Sequence, residues 1–121
     1  MFGRIARLAT SGFWNTSVTP TVQTVVTTGA TQAAAAPVTA DVVITSGGTA
    51  TTADGIVLPK AQKGDVIVVR NTCSFTLDVW PAVGDTINAL SANAVYTGIA
   101  TAKSCVFIAQ ADGAWFTVLS A

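Results

Sequence analysis

The sequence contains no histidine and no glutamate, and only 10% of its residues are charged. An ordinary soluble domain is about 25% charged. Without histidine there is no Ser-His-Asp or Cys-His catalysis and no histidine-ligated metal site. The six basic residues are not clustered, which argues against a nucleic-acid partner, because phosphates call for grouped Lys and Arg. No window approaches 18 uninterrupted apolar residues, so a membrane helix is excluded. Cysteine is scarce as well. Cys73 and Cys105 are too few for a disulfide framework, and a pair of buried thiols is the simpler reading. A single bridge stays open if their strands are neighbours. Arg4 and Arg7 are not followed by an uninterrupted apolar stretch of seven or more, so no signal peptide is read and a cytoplasmic setting is expected.

What is present is 121 residues, half of them apolar, with six Asp balancing six Lys and Arg and a mean hydropathy of +0.57. This length suits one domain with a short arm. The composition excludes intrinsic disorder, which needs low hydrophobicity and high net charge. It also offers too little charge to coat a free monomer, since small soluble designs carry roughly 25–35% charged surface and a net charge away from zero. The chain is therefore expected to be an obligate oligomer or part of a larger assembly.

Residues 1–20 read as an N-terminal arm and 21–121 as a single β domain, most regular from residue 55 onward. Within 2–14, Phe2, Ile5, Ala6, Ala9 and Phe13 share one side of a 3.6-residue period, with Arg4 and Arg7 on the other. This short amphipathic helix pattern is marginal alone and calls for a partner surface. Thr16–Thr31 reads as extended, from Val22, Val25 and Val26 set among threonines. The alanine run ending at Pro37 reads as a linker or a small-residue contact. Asp41–Thr45 is a further β run, closed by a Ser46-Gly47-Gly48 turn. The continuous apolar run Val66-Ile67-Val68-Val69 is the signature of a strand covered on both faces. Phe75, Leu77 and Val79 alternate with Thr76, Asp78 and Trp80, a strand with one face in a core. The runs 95–97, 105–108 and 115–119 complete the set, and Asp112-Gly113 marks a tight hairpin. Short strands between Gly, Pro and Asp turns predict an all-β fold, an antiparallel sandwich, jelly roll or barrel. No clean internal repeat is seen.

Catalytic material is thin. Four of the aspartates adjoin a glycine (Asp54, Asp65, Asp85 and Asp112), where Asp ordinarily caps its own turn. Asp85 and Asn88 alone supply too few oxygens for a calcium site. The thiols lack a histidine base. Gly47-Gly48 is not followed by the Lys-Ser/Thr of a phosphate loop. No catalytic residue, cofactor or metal is expected. Trp80 lies opposite Phe75 and Leu77, and Trp115 opposite Phe116 and Val118, so both tryptophans are expected to face outward. Together with Phe2, Ile5, Phe13 and Trp14 of the arm, they are the candidate interface residues, with interface favoured over glycan stacking.

The segment Gly55–Leu119 resembles small virion proteins of tailed bacteriophages. The matching pieces are Gly55-Ile56-Val57-Leu58-Pro59, then Lys63–Asn71, then the stretch Leu77–Asn93, and finally Ala109–Leu119. The most specific parts are Pro81-Ala82-Val83-Gly84-Asp85-Thr86-Ile87-Asn88-Ala89-Leu90-Ser91-Ala92-Asn93 and the closing Gly113-Ala114-Trp115-Phe116-Thr117-Val118-Leu119. Residues 1–54 carry no such resemblance. The resemblance implies a β-rich, non-enzymatic structural domain, usually trimeric, similar to capsid decoration (cement) proteins and to domains of tail fibres. The expectation that follows is a homotrimer that clamps neighbouring copies of a major capsid protein in a virion assembled in the host cytoplasm. No nucleic-acid or membrane partner is expected. The alternatives are a tail-fibre or tail-tip adsorption component that binds host glycan and, further off, an enzyme or small-molecule binder on a β-barrel. In the loop, Gly84 frees the backbone and Asp85 and Asn88 are structural.

Overall fold

The computed structural model describes residues 19–47 and 54–121. They form ten strands: β1 (Val22–Val26), β2 (Ala36–Pro37), β3 (Val42–Ser46), β4 (Gly55–Val57), β5 (Val66–Asn71), β6 (Leu77–Trp80), β7 (Thr86–Ile87), β8 (Tyr96–Ile99), β9 (Ser104–Ala111) and β10 (Ala114–Leu119). None of the described residues is helical, and the all-β class holds. The helix pattern over 2–14 lies outside the described residues. A six-stranded sheet has the order β1-β3-β5-β9-β10-β7, and a four-stranded sheet has the order β2-β4-β6-β8.

From β1 to β6 the chain alternates between the two sheets. β1, β3 and β5 are parallel neighbours in the larger sheet, and β2, β4 and β6 are parallel neighbours in the smaller. Parallel strands need a crossover of a dozen or more residues, usually a helix. Here each crossover contains a strand of the opposite sheet, so the chain winds in flattened coils. Val22 pairs with Val42 and Ala36 with Ile56, each 20 residues on. The next coil is longer, with Val42 paired to Val68 and Ile56 to Val79. This winding corrects one expectation, since the sheets are mixed rather than antiparallel. Two sheets are what a sandwich requires, and closure into a barrel or jelly roll is not seen among the described residues. A structural repeat also exists where no clean repeat is read from the residues. Between named strands, antiparallel pairing is confined to β5–β9, β9–β10 and β6–β8, with one isolated antiparallel bridge from Thr28 to Gly55.

The two sheets face each other across one apolar cluster. The larger sheet contributes Val25, Val43, Ile67, Val69, Ile87, Cys105, Phe107, Ala109 and Trp115, and the smaller contributes Ala36, Ile56, Leu77, Val79 and Ile99. Tyr96 packs edge-on against Phe107, with ring centroids 5.9 Å apart, an arrangement that matches the aromatic quadrupoles. Of the alanines read as a linker or a small-residue contact, Ala35 and Ala36 are buried, and Ala36 joins this cluster.

Trp115 corrects a further expectation. It is completely buried, while Phe116 is half-buried and Val118 exposed. The register places Trp115 opposite Ala109, whose small side chain leaves room for an indole. Register slips by one residue between Ala114 and Trp115, just after the Asp112-Gly113 hairpin turn, where Gly113 has φ +79°. This positive φ is what a glycine at that turn supplies.

Candidate functional site

Two loops meet at Asp85, which is completely buried immediately before β7. Its Oδ2 accepts the Ala61 amide N–H at 2.8 Å, and its Oδ1 accepts from the Lys60 ammonium, whose own side chain is exposed. The Asp85 amide donates to the Ala82 carbonyl at 2.9 Å, and the Asp85 carbonyl accepts from the Asn93 amide at 3.0 Å. The carboxylate thus ties the 58–65 loop to the 81–95 loop instead of capping its own turn as the sequence suggests. Gly84 has φ +88°, and its amide donates to Asn93 Oδ1 at 2.7 Å. Gln32 Nε2 donates to the same oxygen at 3.2 Å and to the Pro81 carbonyl at 2.7 Å, which brings the β1–β2 connection into the network.

Asn88 adopts φ 55°, a left-handed conformation that asparagine tolerates better than most residues. Its amide donates to the Trp115 carbonyl at 2.8 Å, its Oδ1 accepts the Thr117 amide at 3.1 Å, and its Nδ2 donates to Thr117 Oγ1 at 3.0 Å. Gly84, Asp85 and Asn88 therefore share one loop, with Asp85 fixed to the 58–65 loop and Asn88 to β10.

The other polar side chains act alike. Asp41 Oδ2 accepts the Thr21 amide and hydroxyl, both at 3.1 Å. Burial pushes its carboxyl up, but hydrogen bonds to the charged form, that of the Thr21 amide foremost, together with a positive charge hold it below the usual carboxylate value. Asp65 Oδ2 accepts from the Gln62 amide, and Asp112 Oδ1 from the Lys63 amide at 2.9 Å. Asn71, which sequence reasoning missed, is completely buried. Its Nδ2 donates to the carbonyls of Phe75 and Ile99, both at 2.9 Å, and its Oδ1 accepts the Cys73 amide at 2.9 Å. Its place in the apolar run Val66–Asn71 is the one sequence signal, a polar residue where the period puts the core.

The two thiols are free and buried. Burial pushes the Cys105 thiol up to about 11, which keeps it protonated and poorly nucleophilic. Among the described residues, no three of His, Cys, Asp or Glu gather as a metal site would require.

Of the candidate interface residues, Phe2, Ile5, Phe13 and Trp14 lie outside the described residues. Trp115 is in the core. Trp80 is half-buried at the end of β6, in step with Asp78 and opposite the buried Leu77 and Val79.

The outer face of the six-stranded sheet is the largest feature that sequence reasoning missed. Val22, Val42, Val68, Val106 and Val118 are register partners in turn, forming one row of valines across five strands. A second row is Val66, Ile108 and Phe116, and a third is Thr24, Ile44, Arg70 and Ser104. Arg70 is the one charged residue in these rows. Val22, Val26 and Val118 are 64%, 62% and 55% exposed. Val42, Val66, Val68, Val106 and Ile108 are half-buried, while their neighbours Val43, Ile67, Val69, Cys105 and Phe107 are fully buried.

No protein-family model matches the chain, and no curated protein or solved structure matches it.

Proposed function

We propose that this protein is a non-enzymatic structural component of a bacteriophage virion, a trimeric capsid decoration protein that clamps neighbouring copies of the major capsid protein. One observation carries the reading. The Pro81–Asn93 loop, the most specific part of the resemblance, is bound by its own polar groups into the rest of the chain. Its carboxylate and amides act as staples between loops, which suits a rigid module whose work is to present surfaces. The mechanism is passive: apolar area is buried against neighbouring subunits at about 25 cal/mol per Å² before the costs of association. Repeated around a shell, such contacts resist opening.

The test is to add the purified full chain to isolated shells lacking it. Saturable binding with a raised shell disruption temperature is expected, and a protein that ignores shells refutes the proposal. The alternative, a tail adsorption component, draws on Trp80, half-buried beside Asp78 on the outer side of the smaller sheet. That reading predicts glycan binding that Trp80→Ala abolishes.

A further inference from the structure

We infer that the outer face of the six-stranded sheet is an interface between copies of this chain, with the valine row Val22-Val42-Val68-Val106-Val118 at its centre. The inference deepens the assembly reading above by naming the surface and its occupant, and it rests on that reading only for the copy number of three.

Three observations converge. The first is chemical. Parallel sheets occur almost only with both faces covered, and their strands read as continuous apolar runs. β1, β3 and β5 are parallel, and β5 carries the run Val66-Ile67-Val68-Val69. Only Ile67 and Val69 are fully covered. The sequence of β5 is therefore that of a strand buried on two sides, and the described chain supplies one.

The second is electrostatic. β1 and β3 carry no charged residue, and Arg70 is the lone charge in the three rows. Edge strands that stay free of partners ordinarily carry Lys, Pro or a bulge. β1 has none of these and exposes Val22 and Val26. A face without charge is complementary to another such face, and a second copy provides one at equal concentration. Arg70 lies in the third row with Thr24 and Ser104, so like charges on two copies meet at a wet rim and not in the apolar centre.

The third is extent. Five strands spaced about 4.8 Å apart make the valine row roughly 19 Å long. It is flanked by Val66, Ile108 and Phe116 on one side and by Ile44 and the polar rim on the other, the apolar-centre, polar-edge grading of an interface.

The experiment uses the full chain, melted by circular dichroism at concentrations spanning a hundredfold and passed over a calibrated sizing column. The wild type is expected to elute as an oligomer and to melt at a temperature that rises with concentration, as oligomer-linked stability requires. Val106→Lys, inside the row between Val68 and Val118, is expected to elute as a monomer with a native spectrum and a concentration-independent melt. Val118→Lys, more exposed and nearer the edge of the sheet, repeats the test should the first variant not fold; it is expected to weaken self-association at least tenfold. Thr97→Lys, exposed on β8 of the smaller sheet, is expected to leave the oligomer intact. A monomeric wild type overturns the inference and hands the face to residues 1–18 or to a different protein. An oligomer that survives both valine substitutions overturns it too. An oligomer broken by them that ignores shells supports this interface while refuting capsid decoration.

Discussion

The two faces of the six-stranded sheet are built from similar residues and meet different surroundings. On β5, Ile67 and Val69 point into the core and Val66 and Val68 point away from it. On β9, Cys105, Phe107 and Ala109 are buried, and Val106 and Ile108 are half-buried. In most two-layer β proteins the outward positions turn polar. Here one row of them, Val22-Val42-Val68-Val106-Val118, stays aliphatic across five strands. An apolar outer face brings no stability to an isolated chain and invites association. Its presence therefore says more about what the molecule meets than about how it folds.

Substitutions can sharpen that contrast. The largest effect is expected on the inner face: Phe107→Ala should cost about 3–5 kcal/mol, because Phe107 is fully buried and holds Tyr96 edge-on. Val68→Thr, one strand away on the outer face, should cost well under 1 kcal/mol in a dilute monomer while weakening association; denaturant titrations at low and high protein concentration separate the two. Next comes the loop staple. Asp85→Ala leaves the buried Ala61 amide without its acceptor and should cost about 2–3 kcal/mol by the same titration. The exposed Lys60 contributes little of this.

A pH series reads the inner face again. The folded-state value of Cys105 is raised from 9.0 to about 11 by burial. A thiol held neutral in the fold contributes stability that is complete below pH 9 and is lost as pH climbs toward 11, because the unfolded chain ionises first. The loss should approach about 2 kcal/mol. Cys105→Ala should flatten part of this dependence, and Tyr96, shifted upward by burial, accounts for a remainder in the same direction. The smallest effect is expected from Trp115→Phe. The Trp115 indole N–H is buried without an acceptor among the described residues. Losing that unpaired group offsets lost packing, so a net change of about 1 kcal/mol or less is expected.

The two halves of the chain differ in how plainly the residues announce their structure. The β9–β10 hairpin was legible because its partners are adjacent in sequence and Asp112-Gly113 has one physical reading. The alternation of Leu77 to Trp80 likewise gave β6 its buried face correctly. The coils were not legible, because their partners lie 20 or more residues apart and coil length changes along the stack. Only Val18-Thr19-Pro20-Thr21-Val22 and Val38-Thr39-Ala40-Asp41-Val42 echo one another at that spacing. Trp115 was misplaced because alternation fixes which residues share a face and not which face is the core; Ala109, brought opposite by a bulge, decided it. In the loop, Gly84, Asp85 and Asn88 were picked out by residue type, but the Lys60–Ala61 and Thr117 partners come from remote parts of the chain. The outer valine row is a register property across five strands, and no single segment reveals it.

The most direct measurement is the mass of the full-length protein by sedimentation equilibrium across a hundredfold dilution. The account predicts a multiple of the 12.3 kDa chain, three copies if the capsid decoration reading is right, dissociating only at the lowest concentrations. A mass of one chain at every concentration would contradict it.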